Sequence, residues 1–201
     1  LKDKYTLLDF LITKKVKKVT LELELSLQAG ELVGKIYDAF LKQYANPDSA
    51  ESLHSLNVLC VRLVFCLYAE DAGLFGMKNA FTKYISQYEP KNIRTALIEL
   101  FKVLDANYED RKSMYLDDEL SSFPYCNGGL FADVNIEIPR ITQEIKDTII
   151  EASQFSWEKI SPTIFGGVFE STLNPETRRK GGMHYTSIEN IHKVIDPLFL
   201  D

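Results

Sequence analysis

The sequence predicts a mainly α fold: a multi-helix bundle with minor β structure. Two observations lead there. Apolar residues recur at helical spacing in run after run, and residues 58–69 are apolar on nearly every face (Leu59, Val61, Leu63, Val64, Phe65, Leu67, Tyr68). A helix without a polar face is surrounded by others, so this one is read as the central helix. Strand-like alternation is confined to two short places, residues 21–27 and 136–138.

In chain order, residues 1–20 are basic, with six Lys against two Asp and a cluster at Lys14, Lys15, Lys17 and Lys18. Two readings stand: a solvated linker from a preceding domain, or a patch that contacts nucleic-acid phosphates. Leu21, Leu23, Leu25 and Leu27 alternate with Glu22, Glu24 and Ser26. Period two predicts a half-buried strand, against the helical preference of Leu and Glu. An amphipathic helix then carries Leu32, Ile36, Phe40 and Leu41 and closes near Asn46-Pro47. Asp48 precedes Glu51 by three residues, a capping-box spacing that opens the central helix. That helix runs to about Ala72, with Gly73 as its stop. Arg62 is the one charge in its apolar stretch and is expected to find a carboxylate or carbonyl partner.

Further helices are expected at residues 78–87 and 92–104, the second with Ile93, Leu97, Leu100 and Leu104 at helical spacing. Residues 105–121 are acidic and looser. Residues 123–139 hold Pro124 and Asn127-Gly128-Gly129 and read as loop with one small strand at Ile136 and Ile138. Residues 142–153 are helical again. Ser161-Pro162 opens another helix carrying Ile164, Phe165, Val168 and Phe169. After a polar loop over 174–183, Thr186 and Glu189 cap a last helix whose stripe is Ile188, Ile191, Val194 and Ile195.

Composition narrows the function classes. The apolar fraction is 45% and the charged fraction 26%, which is globular rather than disordered chemistry. The net charge of -6 excludes a uniformly basic nucleic-acid binder and leaves room for local basic patches. The longest apolar run, residues 63–69, falls short of the roughly 18 residues a membrane span needs, so no membrane partner is expected. Cys60, Cys66 and Cys126 have no C-x-x-C spacing and read as reduced, buried thiols of a cytoplasmic protein. The first residues show no signal-peptide pattern, and the apolar end at 197–201 suggests a segment of a longer protein.

Few motifs carry chemistry. His54, His184 and His192 lack metal-ligand spacing, so no metal is expected. The pairs Gly128-Gly129, Gly166-Gly167 and Gly181-Gly182 form neither G-x-G-x-x-G nor a P-loop. Asp133 followed by Glu144-Ile145-Lys146 loosely resembles a metal-dependent nuclease pattern. Glu144 and Lys146 stand two apart on a predicted helix and face different ways, which argues against an active site. Residues 178–191 form a basic loop running into an aromatic and a capped helix start. That arrangement suits an anion, and it equally suits an ordinary loop and helix.

Resemblance decides between them. Gly182-Met183-His184-Tyr185-Thr186, followed by an amphipathic helix, resembles motif X of the gamma-class DNA amino-methyltransferases. Residues 55–71, 125–131, 161–166 and 169–175, in that order, resemble the helical spacer of MmeI-like restriction-modification enzymes. The resemblance covers roughly residues 20–201. It implies a parent polypeptide with a nuclease, a helical spacer, an adenine-N6 methyltransferase and a target-recognition domain. It divides this chain into a basic linker (1–20), a helical spacer (21–173) and the start of the methyltransferase domain, with its first helix (174–201). Gly182, His184, Tyr185 and Thr186 would line the methionine side of S-adenosylmethionine in the full-length parent. Lys14, Lys15, Lys17, Lys18, Arg178, Arg179 and Lys180 would contact DNA phosphates. The partners implied are double-stranded DNA and the adjacent nuclease and methyltransferase domains in cis.

The match departs from a complete enzyme. No glycine-rich cofactor loop follows, and Asn46-Pro47-Asp48 and Asn174-Pro175-Glu176 lack the second Pro and the aromatic of the catalytic motif. That motif holds the flipped adenine's amino group, so this segment alone is expected to be inactive. The alternative is a noncatalytic helical interaction module, with Leu198, Phe199 and Leu200 as its docking patch.

Overall fold

The computed structural model describes residues 6–126 and 128–160, with side chains from Glu24 onward. It is mainly α, as expected. Among the described residues there are seven α-helices and one 3₁₀ turn, and no strand.

The first helix, α1, spans Thr6–Leu41 and corrects the reading of its region. The strand expected at 21–27 and the helix expected from Leu32 are one continuous helix. Leu and Glu are strong helix formers, and their local preference overrides the alternation. Burial agrees: Ala29, Val33, Ile36 and Phe40 are sealed at helical spacing, whereas Leu27 is 45% exposed. The basic stretch is helical too. Lys14, Lys15, Lys17 and Lys18 fall within one half of the circumference of α1, while their side chains lie outside the described residues.

Helix α2 is Ala50–Asp71. Its cap is Ser49, not Asp48: the Ser49 hydroxyl accepts from Ser52 N at 3.1 Å, which moves the start by one residue. Its end is as predicted. Gly73 takes φ +73°, Leu74 N donates to Ala69 O at 2.8 Å, and Gly73 N donates to Glu70 O at 3.3 Å. This paired closure needs the left-handed backbone that glycine adopts without strain. By length and composition α2 could cross a membrane. Here most of it is buried within the protein, including Arg62 and Glu70 at 2% exposure each. Both side chains are hydrogen-bonded to other protein groups, which marks the centre of a folded core.

Helix α3 (Ala80–Ser86) starts from Asn79, which sits at φ 57° and makes no side-chain cap. Glu70 supplies the cap from α2, accepting from Thr82 N at 2.8 Å and from the Thr82 hydroxyl. Helix α4 (Pro90–Asp105) opens on Pro90 in its first turn, where a missing N–H costs nothing. It buries Ile93, Leu97, Leu100 and Leu104, the stripe read from the sequence. The acidic stretch holds two short helices, α5 (Tyr108–Arg111) and α6 (Asp118–Ser121). Helix α7 (Gln143–Ala152) is capped by the Thr142 hydroxyl on Ile145 N at 3.3 Å. The 3₁₀ turn Trp157–Lys159 follows. The strand expected at Ile136 and Ile138 is irregular chain. Elements expected from Ser161 onward lie outside the described residues.

The chain divides into two compact units, residues 32–158, and residues 1–31 with 159–201. Within the first, Phe75, Tyr84, Tyr88 and Phe123 stack edge to face with ring centroids 5.2–5.7 Å apart. Lys42 and Glu144 pair at 2.7 Å, tying α1 to α7 across the surface.

Candidate functional site

Residues 130–138 have no regular structure, so their backbone groups need partners from elsewhere. Side chains of four residues supply them. Arg62 on α2 donates from Nε to Leu130 O at 2.9 Å and from Nη2 to Asp133 O at 2.8 Å. Tyr44 Oη donates to Glu137 O at 2.6 Å, and Ser55 Oγ accepts from Glu137 N at 3.0 Å. Arg94 on α4 donates from Nε to Ile138 O at 2.6 Å. The loop is thereby held to the helices at five backbone atoms.

Arg62 is the centre of this arrangement and meets its expectation of a carbonyl partner. Its guanidinium lies 5.3 Å from the Phe101 ring centre and 5.6 Å from that of Phe131. Phe131 is buried because the preceding turn folds back, with Gly128 at φ +119° and Gly129 at φ +75°. A side chain at Gly128 would be strained at that φ. Desolvation pulls the Arg62 pKa below its ordinary value, and the nearby Asp133 and Asp105 charges oppose that shift. A guanidinium keeps its proton through such a shift. Burial holds the Tyr44 phenol protonated and available as a donor.

A cavity of about 140 Å³ opens beside the loop. Its wall on α4 is Arg94, Ile98, Phe101 and Lys102, one helical face by spacing. Arg62, Phe131, Asp133, Val134, Ile136 and Ile138 complete it. The sequence reading missed Arg94 and Lys102. The available clue was a second stripe on α4, one residue out of phase with the buried one, that begins and ends in a cation.

The nuclease-like trio does not assemble, as argued from spacing. Glu144 pairs with Lys42, Lys146 donates to Ser86 O and Tyr88 O, and Asp133 lies 3.7 Å from His54 Nε2. Among the described residues no three His, Cys, Asp or Glu groups gather as a metal site. Cys60 and Cys66 are buried and outside any disulfide, and burial pushes the Cys66 thiol well up from its ordinary value. Cys126 is half-buried and raised for the same reason. Gly182, His184, Tyr185, Thr186, Arg178, Arg179 and Lys180 lie outside the described residues.

Comparison with known proteins places these features. Residues 54–131 match the family described as the MmeI helicase spacer domain. The chain is 37% identical over 198 residues to DNA methyltransferase A of Bacillus subtilis (strain 168), covering 96% of this chain and 22% of that protein. Its fold matches the type IIL restriction-modification enzyme MmeI, solved in complex with DNA. There the TM-score is 0.70 with 36% identity, over 87% of this chain and 22% of that one. The chain thus spans about a fifth of the length of either relative. The matched residues 54–131 run from α2 through Phe131 and so contain the Arg62 brace, and this part of the chain is a spacer domain of the MmeI type.

Proposed function

We propose that this chain is the connector of a cytoplasmic DNA adenine-N6 methyltransferase in a restriction-modification or phage-defence system. It fixes the distance and orientation between a nuclease and a methyltransferase on double-stranded DNA. The observation that supports this is the brace itself. An irregular loop held at five backbone atoms within a helical core is a stiff body, and a connector that sets a distance must be stiff.

In this reading the parent protein uses S-adenosylmethionine, which supplies the methyl group. Gly182, His184, Tyr185 and Thr186 line the methionine side of its pocket, with Gly182 letting the backbone approach. Lys14, Lys15, Lys17, Lys18, Arg178, Arg179 and Lys180 neutralise DNA phosphates, and the four lysines share one side of α1. The test is transfer of labelled methyl from S-adenosylmethionine to duplex DNA. We compare this chain with a version extended through the next hundred or so residues and with the complete polypeptide. The expected result is N6-methyladenine from the complete protein, none from this chain, and calorimetric cofactor binding only once the chain is extended. Turnover by this chain, or none by the complete protein, overturns the reading.

A further inference from the structure

The brace leaves one part of Arg62 unused. Nε and Nη2 are bonded to the loop, while Nη1 makes no hydrogen bond among the described residues, and the side chain lines the cavity. Two more cations stand at the rim. Arg94 spends Nε on Ile138 O, and among the described residues neither its terminal nitrogens nor Lys102 makes an ion pair or hydrogen bond. The single carboxylate in the lining, Asp133, is turned to its own loop: Oδ1 accepts from Asn135 N at 2.9 Å, and Oδ2 faces His54. The remaining walls are apolar, and Val134 at the rim is 71% exposed. A cup with three cations against one acid, and with apolar sides, is complementary to one anionic group on an apolar stem.

We propose that the cavity is a docking cup for a carboxylate side chain, an Asp or Glu flanked by apolar residues on another protein segment. Its carboxylate takes the Arg62 Nη1 donors at the floor and Arg94 and Lys102 at the rim. Its stem packs on Ile98, Val134 and Ile136. A DNA backbone fits less well. Asp105 lies close enough to bias Arg62, and Glu137 stands in the adjoining loop, so a strand with a phosphate on every nucleotide would set its neighbouring charges against acids. A single carboxylate brings no such neighbours. Only the origin of the segment, a neighbouring domain of the same polypeptide, rests on the connector reading.

The test uses the ¹⁵N-labelled chain and four probes: acetyl-Leu-Glu-Leu-amide, its Gln counterpart, inorganic phosphate and a thymidine dinucleotide. The expected result is a saturable shift of the Arg62 Nε–H resonance with the Glu peptide, about tenfold weaker with the Gln peptide because a charge-assisted bond is lost. Lys102→Glu, an exposed change, weakens Glu-peptide binding about fivefold with an unchanged unfolding midpoint. Three results overturn the proposal: no saturable shift with either peptide, equal affinity for both peptides, or tighter binding of phosphate or dinucleotide than of the Glu peptide. None of these readouts involves methylation, so failure here leaves the connector reading standing.

Discussion

Arg62 on α2 and Arg111 on α5 both donate to the carbonyls of irregular chain, and the contrast between them separates structure from opportunity. Arg111 spends all three nitrogens, donating from Nε to Ala106 O, from Nη1 to Phe123 O and from Nη2 to Val103 O at 2.6–2.9 Å. It closes the end of α4 against the chain that follows and has nothing left to offer. Arg62 is far more deeply buried and spends two nitrogens, with the third on a cavity wall. A buried cation is costly to install and is normally satisfied in full. A saturated arginine is explained by the fold alone, whereas one with a nitrogen left over on a cavity wall still has a donor to offer.

Substitution breaks the comparison most directly at Arg62. Arg62→Met keeps much of the volume but orphans Leu130 O and Asp133 O, and is expected to cost about 3 kcal/mol in urea unfolding. Arg111→Met removes more hydrogen bonds from a site that water can reach, so its cost is expected to be smaller, about 1.5 kcal/mol. If Arg111→Met proves the more damaging, burial is not what makes Arg62 central. The smallest effect sharpens the same point with the opposite charge. Desolvation raises the Glu70 pKa above its ordinary 4.5, opposed by its bonds from Thr82. The folded state therefore holds this proton more tightly than the unfolded state does. The stability due to Glu70 is fully present below 4.5 and is lost as pH rises through the raised value. Urea midpoints between pH 4 and 7 should show wild type losing ground to Glu70→Gln as pH rises, and a difference independent of pH would contradict this.

Much of the fold was legible because it is local. The end of α2 at Gly73 and the buried stripe of α4 follow from backbone chemistry and helical period, and each holds in the structure. The need of Arg62 for a partner was legible from its surroundings on the helix. Its partners were not, because Leu130 and Asp133 lie 68 and 71 residues away, in a loop without period. The region 21–27 misled because four leucines at period two also lie on a helix, and only tertiary burial of Ser26 and Ala29, with Leu27 exposed, tells the two apart. Arg94 and Lys102 come to share a cavity wall only once the loop at 131–138 is folded against α4.

Glu70 acts through both its backbone and its carboxylate. Its carbonyl accepts from Gly73 to finish α2, and its carboxylate caps α3. The corner between the two helices is therefore one cooperative element rather than two frayable ends. Amide exchange at Gly73 and at Thr82 should quicken in step, and a disturbance that loosens one helix end will be transmitted to the other through a single residue.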